Sequence, residues 1–117
     1  MAQYRELTSI EDWQRELAAT DSKPLLVFKH STVCPISAAA KEEFEAYVND
    51  LKGSASEPEA VLVKVIESRP VSNQIADDLG VRHESPQLFY VRNGAASWHA
   101  SHNAITYESI DSAVKNG

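Results

Sequence analysis

The sequence is poor in cysteine, in positive charge and in long apolar runs, and each shortage excludes a class of protein. One cysteine among 117 residues excludes an internal disulfide and a zinc site built mainly on thiolates. Eleven lysine and arginine residues against seventeen acidic ones give a net charge of −6, which repels a nucleic-acid backbone. The sequence has no bilayer-length apolar run and its first residues show no apolar stretch behind a basic one, so we expect neither a membrane span nor a signal peptide. We therefore expect a cytoplasmic protein that binds neither nucleic acid nor membrane.

The apolar residues that are present suffice for one globular domain. Hydrophobic residues make up 43% of the chain and charged residues 24%, which are ordinary values for a folded protein. A chain of this length is expected to bury about two thirds of its surface. We predict a single domain over residues 1–117, without repeats or low-complexity segments.

The spacing of apolar residues predicts strands and helices that alternate along the chain. The predicted strands cover residues 4–7, 25–28, 61–66, 87–92 and 95–100. The predicted helices begin after Ser9, at Pro35, at Val71 and after Thr106. Asn93-Gly94 between the last two strands favours a hairpin turn, and Gly80 is placed to end the third helix. The order predicts an α/β fold with a mixed sheet of four to five strands and helices on both faces.

The single cysteine, Cys34, lies between the second predicted strand and the longest predicted helix. Open α/β sheets bind ligands at the carboxyl ends of their strands, and the first turn of a helix favours a negatively charged sulfur. Pro35 suits the first helical position and leaves the N–H groups of Ile36 and Ser37 directed toward the sulfur. We predict a reactive thiolate, and the alternative is an inert, buried cysteine.

Other polar residues near Cys34 are candidates for tuning its reactivity. Ser37 can add its hydroxyl group as a further donor to the sulfur. Lys29 and His30 end the preceding strand, and a cation beside the sulfur would stabilise the thiolate. The sequence leaves open which of the two faces Cys34. The remaining histidines lack a third ligand at a convincing spacing, so we predict no metal site; they are His83, His99 and His102.

The layout resembles the thioredoxin superfamily over nearly the whole chain. The resemblance rests on Cys34-Pro35-Ile36-Ser37 opening a helix after a strand, and on Ser85-Pro86 before a hairpin. It implies a cis peptide bond at Pro86, opposite the cysteine. Ser37 stands where thioredoxins carry a resolving cysteine, and Phe28 stands where they carry a buried acid. Both departures imply a mechanism with one thiol.

Two segments narrow the resemblance to the monothiol bacilliredoxin family, namely Ser31-Thr32-Val33-Cys34-Pro35-Ile36-Ser37 and Ser97-Trp98-His99-Ala100-Ser101-His102. The resemblance implies a thiol–disulfide oxidoreductase that removes bacillithiol from mixed disulfides on cytoplasmic proteins. Cys34 and Ser37 would then be catalytic, and the implied substrate-binding residues are Thr32, Pro35, Ser85 and Pro86. Bacillithiol would be the co-substrate, without a tightly bound cofactor, and its malate group would favour a nearby basic residue. We expect a monomer or a weak dimer.

Three alternative functions remain open at this stage. The protein could carry an iron–sulfur cluster as monothiol glutaredoxins do, although no Gly-Phe pair follows Cys34. Cys34 could be a sensor that accepts bacillithiol as a protective cap without turnover. The domain could also be a redox-inactive interaction module, because a fold does not dictate a function.

Overall fold

The apolar segments form a mixed five-stranded sheet with helices on both faces, which confirms the predicted fold class. The computed structural model describes residues 4–116. The strands are β1 (Arg5–Glu6), β2 (Leu25–His30), β3 (Glu59–Lys64), β4 (Gln87–Arg92) and β5 (Ala95–Ser101). The helices are α1 (Ile10–Ala19), α2 (Pro35–Asp50), α3 (Arg69–Leu79) and α4 (Tyr107–Asn116). Within residues 4–116, none of these helices is both long and apolar enough to cross a bilayer.

The strand order β1-β3-β2-β4-β5 places β2 at the centre of the sheet. β2 is parallel to β3 and antiparallel to β4, and all six of its residues are buried. Leu26 and Phe28 pack against α2 and α4, whereas Leu25 and Val27 pack against α1 and α3. An apolar strand of this kind is typical of a sheet that is covered on both faces.

Local capping groups fix several element boundaries as the sequence predicts. The Ser9 hydroxyl oxygen accepts a hydrogen bond from the Asp12 N–H at 3.1 Å, which caps α1. Gly80 ends α3 with φ 65°, in the left-handed region that glycine adopts readily. Asn93 and Gly94 have φ values of 52° and 77°, as a primed hairpin turn requires.

Two elements begin earlier in the chain than the apolar pattern predicts. β3 runs from Glu59 to Lys64 rather than over 61–66, because Glu59 pairs with Leu25 and its N–H donates to the Pro24 carbonyl at 2.9 Å. α3 begins at Arg69 rather than at Val71. The earlier end of β3 leaves Ile66 outside the sheet, where it is exposed.

Truncating a central aromatic side chain is expected to destabilise the fold strongly. Phe28 is fully buried, and its ring centroid lies 5.0 Å from that of Phe44 in α2. We expect Phe28→Ala to lower the free energy of unfolding by about 3–5 kcal/mol, because it removes this packing and leaves a cavity. The exposed Val33→Ala is the control, with an expected change below about 0.5 kcal/mol. Equal urea midpoints for the two variants would contradict the assignment of Phe28 to the core.

Candidate active site

Cys34 lies at the start of α2, a short turn after the central strand β2. It is the residue that precedes the first helical turn, and Pro35 is the first helical residue. The Cys34 N–H donates to the Ser31 carbonyl at 3.4 Å, and the Cys34 carbonyl accepts from the Ala38 N–H at 3.0 Å. The side chain is half-buried. The thiol therefore lies at the carboxyl edge of the parallel strands and is open to solvent on one side.

The expected hydrogen bonds from the helix to the sulfur are not formed. The Cys34 side chain makes no capping hydrogen bond, so the N–H groups of Ile36 and Ser37, which we predict to be directed toward the sulfur, do not donate hydrogen bonds to it. Sulfur is a weak acceptor compared with the oxygen of a usual cap. Any stabilisation that the helix gives the thiolate is therefore the longer-range field of its aligned peptide dipoles.

Ser37 is fully buried and makes different contacts from those the sequence suggests. Its hydroxyl oxygen accepts the Ser31 N–H at 2.9 Å and lies 2.7 Å from His30 Nδ1. The hydroxyl group thus joins the end of β2, the following turn and the first turn of α2. The predicted role as a donor to Cys34 is corrected to one of holding the turn that carries Cys34.

Lys29 and His30 are both buried, but successive residues of a strand point to opposite faces of a sheet. His30 lies on the α2 face with Ser37, where burial, and next the charges of Lys41 and Lys64, lower its pKa. On the other face, Lys29 Nζ lies 3.2 Å from His83 Nδ1. The partner of His30 is therefore Ser37 and that of Lys29 is His83, and neither pairing involves the thiol.

The burial of Lys29 predicts an unusual pH dependence of stability. Burial lowers the pKa of its amine to about 8, whereas the unfolded chain keeps a value of about 10.4. Below pH 8 the amine is protonated in both states and the cost of burying its charge is fully present. Above pH 8 the unfolded state binds more protons, so stability rises until about pH 10.

We expect the stability difference between wild type and Lys29→Met to shift by about 2 kcal/mol in favour of wild type from about pH 7.5 to about pH 9.5. Subtracting the variant removes the contribution of other groups that titrate in this range. Urea unfolding of both proteins at the two pH values measures the shift. A difference that does not change with pH would show that Lys29 keeps its ordinary pKa.

The Ser85–Pro86 pair lies at the same edge of the sheet as Cys34. β4 is antiparallel to β2, and Gln87 at its start pairs with Lys29 near the end of β2. The Ser85–Pro86 peptide bond is cis, and Pro86 is buried. Within residues 4–116, the buried Ser85 hydroxyl oxygen has no hydrogen-bond partner. The structure thus brings the predicted proline loop to the edge that carries the thiol.

Three exposed apolar side chains lie at the edge of the sheet that carries Cys34, and sequence reasoning missed them. In the described part of the chain, the exposed large hydrophobic residues are Val33, Ile36 and Ile66, at 77%, 45% and 50% exposure. Val33 and Ile36 flank Cys34 in the sequence. Ile66 reaches the same edge because the preceding Val65 N–H donates to the His30 carbonyl at 3.0 Å. Exposed apolar side chains grouped in one place are typical of a binding surface. The sequence does place Val33 and Ile36 close to Cys34, and this closeness could have predicted such a surface.

The two other predicted substrate-binding residues lie at the surface of the turn. Thr32 and Pro35 are exposed, and the Thr32 hydroxyl donates to a Glu67 carboxylate oxygen at 3.3 Å. A cavity of about 330 Å³ also borders Thr32, and Lys41 and Lys64 line it. Each lysine lies 3.5 Å from a carboxylate oxygen, of Glu45 and Glu6 respectively. Carboxylates of the protein itself therefore balance the positive charges of Lys41 and Lys64.

Comparison with models of known protein families identifies the family to which this chain belongs. The family described as Monothiol bacilliredoxin BrxC matches residues 5–110. The chain belongs to the monothiol bacilliredoxin family. This match confirms the resemblance seen in the sequence and identifies the chain as a thioredoxin-like redox protein.

Solved structures support the same fold. One protein described by its thioredoxin fold is 32% identical, with a TM-score of 0.83 and coverage of 95% of this chain and 93% of the other. Thioredoxin from Nicotiana alata is 14% identical, with a TM-score of 0.76 and coverage of 98% and 92%. Thioredoxin from Malassezia sympodialis is 16% identical, with a TM-score of 0.74 and coverage of 99% and 91%. The two thioredoxins show the fold alone.

Proposed function

We propose that this protein removes bacillithiol from mixed disulfides on cytoplasmic proteins, with Cys34 as the nucleophile. The observation that carries the proposal is a half-buried cysteine at the start of α2, at the same sheet edge as the Ser85–Pro86 loop, in a member of the monothiol bacilliredoxin family. A thiolate attacks a disulfide directly, so the reaction requires no resident cofactor and one copy of the chain. A reducing compartment keeps such a thiol free.

The reaction consists of two exchanges of one disulfide bond each. The Cys34 thiolate attacks the bacillithiol sulfur of the mixed disulfide, the sulfur–sulfur bond to the protein breaks, and the protein leaves as a thiolate. Cys34 then carries bacillithiol through a new disulfide. A second bacillithiol thiolate attacks that bacillithiol sulfur, which releases oxidised bacillithiol disulfide and restores the Cys34 thiolate. The net reaction converts one mixed disulfide and one free bacillithiol thiolate into one protein thiolate and one bacillithiol disulfide.

The chain's single cysteine supports the need for a second small thiol. Cys34 has no cysteine partner in the sequence, and Ser37 offers an oxygen in the place of a resolving sulfur. A hydroxyl group cannot complete a disulfide. Because Ser37 is occupied by Ser31 and His30, we propose that it positions the Cys34 turn and does not touch the substrate.

Docking of the modified protein is proposed to use the edge around Cys34. An extended segment can pair with the backbone of Ser85 as an added strand, and its apolar side chains can cover Val33, Ile36 and Ile66. These three residues are exposed in the free protein, so contact with a partner removes their apolar surface from water. The bulk of the contact would come from the modified protein and a smaller part from bacillithiol.

Steady-state turnover tests the proposed function. A test protein that carries bacillithiol on one cysteine is incubated with a catalytic amount of this protein, and intact-mass spectrometry follows its free thiol form. We expect many turnovers with excess bacillithiol and a single turnover without added thiol. Modification of Cys34 without turnover would identify a sensor. A brown, absorbing species after anaerobic iron–sulfur reconstitution, with no turnover, would instead favour the carrier function.

A further inference from the structure

Lys29 is a fully buried lysine whose amine is held by an imidazole rather than by a carboxylate. Its Nζ atom lies 3.2 Å from His83 Nδ1 and 5.7 Å from the centroid of the Phe89 ring. Burying a cation among apolar side chains is costly, and hydrogen bonds to the cation offset part of that cost. The hydrogen-bond partner of Lys29 is His83, which lies in the loop that leads to Ser85 and Pro86.

Side chains from two other elements of the fold contact His83. Lys29 belongs to β2, and the Ser72 hydroxyl of α3 lies 3.4 Å from the same Nδ1 atom. A protonated amine can only donate a hydrogen bond. Nδ1 is therefore the acceptor, and the neutral ring of His83 carries its proton on Nε2. The ring as a whole is exposed, so this contact is its attachment to the interior.

Gln87 holds the residues on either side of His83. It is fully buried and is the residue of β4 that pairs with Lys29. Its side-chain amide nitrogen donates to the Arg82 carbonyl at 3.1 Å, and its amide oxygen accepts the Glu84 N–H at 3.3 Å. Buried polar side chains therefore hold three consecutive loop residues directly before Ser85.

We propose that Lys29 is a positioning residue for substrate docking, which acts through His83 on the loop of residues 82–84 and so sets the place of Ser85 and Pro86 opposite Cys34. The expected change in KM rests on the proposed function, whereas the expected loosening of the loop of residues 82–84 does not. Three fully buried polar residues on separate elements converge on this loop, namely Lys29, Ser72 and Gln87. An apolar residue at position 29 would avoid the cost of burying an amine and would leave His83 without its donor.

The kinetic test compares Lys29→Met with Lys23→Met. Methionine keeps most of the side-chain length and removes the donor, while Lys23 lies before the start of β2 and pairs with Glu59 at 2.9 Å. We expect Lys29→Met to raise KM for a bacillithiolated protein about tenfold, with kcat within about twofold of wild type. Lys23→Met is expected to change neither value more than about twofold. An unchanged KM in Lys29→Met would overturn the proposal.

A spectroscopic readout separates this inference from the proposed function. Long-range ¹H–¹⁵N NMR of the histidine rings is expected to show His83 as the Nε2–H tautomer in wild type. The groups that act on His83 are Lys29, Arg69 and Glu84, and burial and the two cations lower its pKa. In Lys29→Met we expect this pKa to rise and the Glu84 amide to exchange with solvent at least about tenfold faster.

Each result bears on one of the two proposals. If His83 titrates and the Glu84 amide exchanges alike in wild type and Lys29→Met, the positioning role is wrong whatever the activity. If wild type fails to act on any bacillithiolated protein while the NMR changes occur, the proposed function fails and the positioning role stands. If Lys29→Met does not fold, His83→Ala removes the same contact from the exposed side and is expected to accelerate exchange at Glu84 equally.

Discussion

Cys34→Ser is expected to reduce the rate of bacillithiol release by at least about a thousandfold, because the chain then has no thiol to attack the disulfide. The hydroxyl group that replaces the thiol is a poor nucleophile at neutral pH. Cys34 is half-buried at the start of α2 and its sulfur makes no capping hydrogen bond. The fold should therefore be retained. Intact-mass spectrometry of a bacillithiolated test protein measures the loss of activity.

Circular dichroism and urea unfolding provide the control for Cys34→Ser. The variant is expected to unfold within about 1 kcal/mol of wild type, since the substituted atom is partly exposed. Gln14→Ala, at an exposed position of α1, is the matched variant that keeps the thiol and should retain exchange activity. If folded Cys34→Ser still releases bacillithiol at more than about a tenth of the wild-type rate, the nucleophile is another group.

Ser37→Cys is expected to change the mechanism from one thiol to two. Residues three apart on a helix are neighbours, and Ser37 lies in the first turn of α2 behind Cys34. After Cys34 has accepted bacillithiol, the introduced thiolate can attack the Cys34 sulfur and expel bacillithiol as a thiolate. An internal disulfide forms at the same time. Held in place, such a thiol reacts far faster than one in solution.

The expected product distinguishes the two mechanisms by mass. Without added thiol, wild type should accumulate the bacillithiol adduct, whereas Ser37→Cys should lose two hydrogen atoms and carry no adduct. Ser37→Ala is the control, because it also removes the contacts to Ser31 and His30 but adds no sulfur. We expect it to keep the adduct and to be less stable by about 1–3 kcal/mol. Equal accumulation of adduct in Ser37→Cys and wild type would contradict this geometry.

Much of the fold is predictable from the sequence because its signals are local. Ser9, Gly80 and Asn93-Gly94 specify a helix start, a helix end and a hairpin through their own backbone and side-chain chemistry. The position of Cys34 between a strand and a helix is predictable for the same reason, since both elements are visible in the pattern.

The remaining details depend on contacts between distant parts of the chain. Strand alternation places Lys29 and His30 on opposite faces, but the sequence does not say which face α2 covers. The contact between Lys29 and His83 joins residues 54 positions apart, and no local rule predicts it. Ile66 is exposed because β3 ends at Lys64, and that end depends on the register between β3 and β2.

The fate of bacillithiol in a single turnover tests the central claim most directly. Reduced protein is mixed with an equimolar amount of a bacillithiolated test protein, and the reaction is quenched with acid. Intact-mass spectrometry then gives the mass of each chain, and peptide mapping locates the bacillithiol. We expect bacillithiol disulfide-bonded to Cys34 and a test protein with a free thiol. A disulfide between Cys34 and the test protein would contradict attack of Cys34 on the bacillithiol sulfur. Two unchanged chains, with a test protein that has been shown to react with free bacillithiol, would contradict it as well.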